Sequence, residues 1–259
     1  MKKFNKTLIA AALMIGAGSA NASIAYDQGG LNEAYLSAYD STTGKTFTLD
    51  TGVDFNTLVA NVNNAAYSLS FDLSALSNWT SFIAGATTSA IKYVVAVGSS
   101  GDLGAAVTGA PLVGSVSEYF GVKASNSIQN HAIDINGKVF NSLTSSVENL
   151  STLVLDSEAP GLGQHGEASS FWGGWATDGQ ASYGQSIAFH LGQIDMNEAS
   201  PAFLTDVFTT FVGKWTLAGN SLTFAAPAVA AVPLPAAVWM FGAGLMGVLR
   251  LNRRKSMAA

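Results

Sequence analysis

The last 28 residues set the terms on which everything before them must fold. Pro233 and Pro235 flank Leu234, and an apolar run then extends from Ala236 to Leu251, with Arg250 its one charge. Arg253, Arg254 and Lys255 follow. The prolines lack N–H donors and hold their neighbours extended, so a helix cannot pass through them but can begin at Ala236. About 16 helical residues at roughly 1.5 Å rise span about 24 Å, slightly less than the apolar core of a bilayer. Snorkelling of Arg250 and Arg253, or inclusion of Leu234, makes up the difference. Gly242, Gly244 and Gly247 place a small-residue stripe along the run. A membrane helix is therefore expected at 236–251, with a basic tail at 252–259 on the cytoplasmic side. The globular fold has to be built from the residues that precede it.

The sequence Val232-Pro233-Leu234-Pro235-Ala236, an apolar helix and a terminal basic cluster (Arg250, Arg253, Arg254, Lys255) resemble the PEP-CTERM sorting signals of Gram-negative bacteria, in the VPLPA-CTERM variant. Leu234 stands where the parent motif has Glu. The resemblance covers about a tenth of the chain. It implies a substrate of an exosortase, a membrane-embedded cysteine transpeptidase that removes the helix and releases or attaches the ectodomain at the cell surface. It also implies a link to exopolysaccharide and biofilm matrix. The partners implied are that transpeptidase, the inner membrane transiently, and exopolysaccharide. An ordinary C-terminal anchor is the plainer reading of the same residues.

The other end is consistent with export. Lys2, Lys3 and Lys6 form a basic segment, Leu8 to Ala17 an apolar one, and Ser19-Ala20-Asn21-Ala22 a small-x-small cleavage site between Ala22 and Ser23. This is the pattern of a Sec signal peptide, removed on export. The expected organisation is a signal peptide at 1–22, an ectodomain at 23–224, an Ala/Pro linker with the motif at 225–235, the membrane helix at 236–251 and the tail at 252–259.

The body between the signals is acidic. All 17 acidic residues lie there beside only five lysines, leaving it twelve charges negative, and the arginines all lie beyond it, at 250, 253 and 254. An arginine-free acidic surface is a poor match for nucleic acid. There are no cysteines, so neither disulfides nor thiol chemistry nor thiolate metal sites are open to this exported chain, and burial must supply its stability. The body is long enough to bury one full core.

Alternation of apolar and polar residues at Ala34–Tyr39 and Thr46–Asp50, around a turn at Asp40–Gly44, predicts a hairpin. Asp54 is placed to cap a short helix ending near Asn61. Strands are expected at Ala66–Leu73, Ile91–Val97 and Ser186–Leu191. Helices are expected at Ser125–Ile133 and Val139–Ser146, and a long loop or irregular strands across Glu158–Gln185. Phe211–Leu217 and Leu222–Ala225 around Ala218-Gly219-Asn220-Ser221 predict a final hairpin. Hairpins at both ends of a helical insertion predict a mainly β domain with some α, in the form of a β-sandwich.

No reaction is legible in the body. His131, His165 and His190 match no metal-ligand spacing, and no nucleophile elbow is present. Asp50/Asp54 and Asp156/Glu158 are carboxylate pairs, a type found more often in turns than in catalysis. The expectation is a non-enzymatic surface or matrix protein with no cofactor, no metal and no catalytic residue. A second reading takes Trp172, Trp175 and Tyr183, in a Gly-rich setting with Phe171, as rings that stack on sugars of the cell's own exopolysaccharide. The alternative for these rings is ordinary core packing. A third, a secreted hydrolase, has no motif behind it.

Overall fold

The structure is a computed structural model, and its described residues are Ile24, 32–99, 104–109, Ile128, Ala132, 151–155, 180–201 and 203–227. The chain divides into two units, Met1–Pro227 and Ala228–Ala259. All described residues belong to the first. Both sorting signals, including Ala22, Ser23, the Val232–Ala236 motif and the basic cluster, lie outside the described residues. Among the described residues no helix is long and apolar enough to cross a membrane.

The opening hairpin forms as the alternation predicts, with β1 at Glu33–Asp40 and β2 at Lys45–Asp54. Asp40 builds its turn. Its carboxylate accepts from the Thr42 N–H at 2.9 Å and the Thr43 hydroxyl at 2.8 Å. Gly44 closes it at φ 65°, a left-handed geometry that side chains resist. Asp54 then caps α1 (Phe55–Ala60), accepting from the Thr57 N–H at 2.8 Å, and turns Phe55 and Leu58 inward. The strand expected from Ala66 starts later, as β3 (Leu69–Asp72), because Asn64 draws the preceding residues into turns.

Helix α2 (Ser77–Gly85) was not legible in the sequence; its N-cap is Leu76, with no side-chain cap bond. Strand β4 (Ile91–Gly98) follows, then β5 (Gly104–Thr108), β6 (Ser151–Leu155), β7 (Ala181–Ser182), β8 (Ser186–Ile194), β9 (Asp206–Ala218) and β10 (Ser221–Ala225). Of the predicted helix at Ser125–Ile133, the described positions Ile128 and Ala132 are helical and buried. The second predicted helix, Val139–Ser146, lies outside the described residues.

The domain is mainly β, as expected, but its described strands form one continuous antiparallel sheet, nearly barrel-shaped, instead of two stacked layers. The order is β3-β10-β9-β8-β5-β4-β1-β2-β6, with β7 also on β4. The reason lies in β4, which bonds β1 along one edge and β5 and β7 along the other, so the two hairpins are joined through shared neighbours.

Nearly every strand sends residues to one core. Ala34, Leu36 and Ala38 of β1 meet Phe47 and Leu49 of β2, Tyr93, Val95 and Val97 of β4, and Phe189 and Leu191 of β8. Aromatic rings fill the far side. Trp215 and Phe224, directly opposite in β9 and β10, have centroids 5.0 Å apart, and Phe189 meets Phe211 at 4.8 Å. The other face of β1, β2 and β4 is buried too, at Tyr35, Ser37, Thr48, Asp50, Val94 and Ala96.

The sheet has two distinct ends. At one stand the β1–β2 turn, the start of β4 and the β9–β10 turn. At the other stand Asn32, where the chain enters β1, and the β8–β9 connection. The register Ala225↔Lys214 makes β10 run back toward this second end, and its last pair lies eight residues along β9 short of Asp206 there.

Candidate functional site

Of the residues proposed for glycan contact, Tyr183 is described and Trp172 and Trp175 are not. Tyr183 follows β7 at the end of the sheet that carries the β9–β10 turn. Its hydroxyl donates to the Gly219 carbonyl at 2.8 Å, and its half-buried ring lies 6.5 Å from Trp79. Trp79 is itself fixed by an indole N–H donated to Asn220 Oδ1 at 3.0 Å. Tyr183 is thus tied to the fold at its polar tip and along its ring. Gly219, at φ 56°, takes at this turn the left-handed backbone that glycine adopts at no steric cost.

The other candidates of the sequence are accounted for as follows. Asp54 is the cap of α1. Asp50 is 6% exposed and accepts from the Gly52 N–H at 2.9 Å, within the bulge where the β1–β2 register shifts. Burial pushes its pKa up to about 7, with the Glu33 charge adding and the Gly52 bond opposing. Asp50 and Asp54 serve a bulge and a cap, and their roles separate. His190 is buried in β8 with Nδ1 2.9 Å from the Thr210 hydroxyl, and burial draws its pKa down against the Gly109 backbone. Asp50, Tyr35, Ala96, Val107, His190 and Thr210 follow one another across six strands in register, so Asp50 and His190 are held four strands apart. At about 4.8 Å per strand that is on the order of 19 Å, too far for a shared proton. His131, His165, Asp156 and Glu158 lie outside the described residues. Among the described residues no group of three or more His, Cys, Asp or Glu is placed to hold a metal ion.

A different feature was missed in the sequence. The large exposed apolar side chains of the described residues all fall in one segment: Met196 (54%), Phe203 (38%), Leu204 (50%), Val207 (42%), Phe208 and Val212. Met196, Phe203 and Leu204 belong to the β8–β9 connection, Val207 and Phe208 to the start of β9, and Val212 to its middle. The connection is tightly made. The Leu204 N–H donates to the Asp195 carbonyl at 2.7 Å and the Asp195 N–H to the Thr205 carbonyl at 3.0 Å. The Asp195 carboxylate accepts from the Asn197 N–H at 2.8 Å, and its local bonds hold its pKa below the usual range. Leu204 has φ 60°, a conformation costly for a branched side chain. The signal in the sequence was Phe203-Leu204, two large apolar residues after Pro201 where a polar turn would serve.

Comparison of the chain with protein-family models, with curated proteins and with solved structures finds no match.

Proposed function

We propose that this chain is an exported surface or extracellular-matrix protein, associated with exopolysaccharide or biofilm. It is carried across the inner membrane by its signal peptide and held by the helix 236–251. An exosortase-type transpeptidase then processes it within Val232–Ala236. The ectodomain acts structurally. The observation that carries this reading is the tail: two prolines, an uncharged run and a terminal basic cluster, in that order, at the end of an otherwise acidic chain.

Intact-mass spectrometry of the protein from its native host tests the proposal. It should read an N-terminus at Ser23 and a C-terminus between Val232 and Ala237, with any added mass marking the attachment. A chain still ending at Ala259 would leave an ordinary single-pass anchor and sink the processing step.

A further inference from the structure

We propose that the β8–β9 connection docks on a bilayer surface of zwitterionic lipid, inserting Met196, Phe203, Leu204 and Val207. This rests on the reading of 236–251 as a membrane helix. Three observations meet in it. The first is concentration: the exposed large apolar residues of the described fold gather on this connection and the adjoining part of β9, and Leu204 is held outward there by paired backbone bonds at a φ of 60°. An isolated exposed leucine needs no explanation, but a contiguous set does.

The second is position. The chain enters at Asn32 on the same end of the sheet as this connection, and β10 runs toward that end up to its last pair, Ala225↔Lys214. Lys214, the partner of Ala225, lies eight residues along β9 from Asp206. At roughly 3.3 Å per residue the connection stands about 26 Å beyond that pair. From Ala225 to Ala236 the chain advances eleven residues and, fully extended, reaches about 36–40 Å. A membrane helix starting at Ala236 is therefore on a tether long enough to let the bilayer surface meet the apolar tip.

The third is charge. Residues 186–213 contain Asp195, Glu198 and Asp206 and neither lysine nor arginine. Such a surface is repelled by anionic headgroups, so attraction has to come from apolar insertion into a surface of no net charge.

The chain has no cysteine, which makes single-site labelling direct. Full-length chains carrying Leu204→Cys or Phe203→Cys are labelled with an environment-sensitive fluorophore and reconstituted in phosphatidylcholine vesicles containing nitroxide lipids. Ser41→Cys, in the turn at the opposite end of the sheet, is the reference, and Ala243→Cys reports the membrane helix. Quenching at both 203 and 204 at least fivefold above Ser41→Cys is expected, and weaker quenching in phosphatidylglycerol vesicles. Quenching no greater than the reference overturns the docking. So does a blue shift at 204 that lipid nitroxides fail to quench, which would mean a second copy of the chain covers the tip. A quenched Ala243→Cys with unquenched 203 and 204 defeats the docking and leaves the helix reading standing; quenched 203 and 204 with unquenched Ala243→Cys does the reverse.

Discussion

A methyl group at Gly213 would stand 2.5 Å from Cε1 and Cζ of Phe224, a ring that is 1% exposed and packed against Trp215, Phe189 and Phe211. Real contacts are longer, and a ring walled in by these and by Tyr67 has nowhere to turn. Gly213→Ala should therefore cost about 1–3 kcal/mol, seen as a lower urea midpoint with unchanged slope. Asp50 acts through protons. Its carboxyl, near 3.8 in the unfolded chain, is raised to about 7 in the fold, so between those values the native state holds a proton that the unfolded chain has released. Stability from this site is fullest below about pH 4, falls as pH rises to about 7, and is level above. Asp50→Asn should flatten that slope and raise stability at pH 8 by on the order of 1–3 kcal/mol, read as the difference between variant and parent unfolding curves across pH.

At the scale of elements, α2 links distant parts of the sheet. Asn78 Nδ2 donates to the Ser151 carbonyl of β6 at 2.8 Å, while the neighbouring Trp79 reaches the β9–β10 turn. Among the described residues β6 is an end of the strand order, where a strand has a partner along one side only. Asn78→Ala should cost about 1 kcal/mol and speed amide hydrogen exchange in β6 more than in β4. The elements legible in the sequence were those fixed by local chemistry. The first and last hairpins announced themselves by alternation and by the turns at Asp40–Gly44 and Gly219–Asn220, and α1 by its Asp54 cap. Helix α2 has no side-chain cap bond, and only its tertiary contacts define it. β5 reads Gly-Ala-Ala-Val-Thr, too small and too uniformly buried to alternate. The joining of both hairpins in one sheet depends on pairings such as Leu69↔Phe224, which no local window contains. The candidate ligand residues fared alike: Tyr183 reads as an aromatic in a Gly-rich stretch, and only the fold shows its hydroxyl spent on Gly219. The apolar tip went unread because exposure, and not composition, defines it.

Over the whole molecule, the sheet is a record of long separations. β3 pairs with β10, and β2, near the start, pairs with β6. Leu222 and Phe224 of β10 are both buried in the shared core, so this last strand closes the domain. A chain from Ser23 to Pro227 should unfold cooperatively in urea, whereas one stopped at Ala218 should show no cooperative transition; far-UV and tryptophan signals followed together would check it. Distant pairing of this kind is slow to form, since loop closure precedes any reward. For a chain threaded across a membrane N-terminus first, β3 must wait for β10. Only six residues separate Ala225 from Val232. On the proposed sorting route, the strand that completes the fold and the proposed processing motif emerge almost together, so the timing of release would be set by the same stretch of chain that closes the sheet.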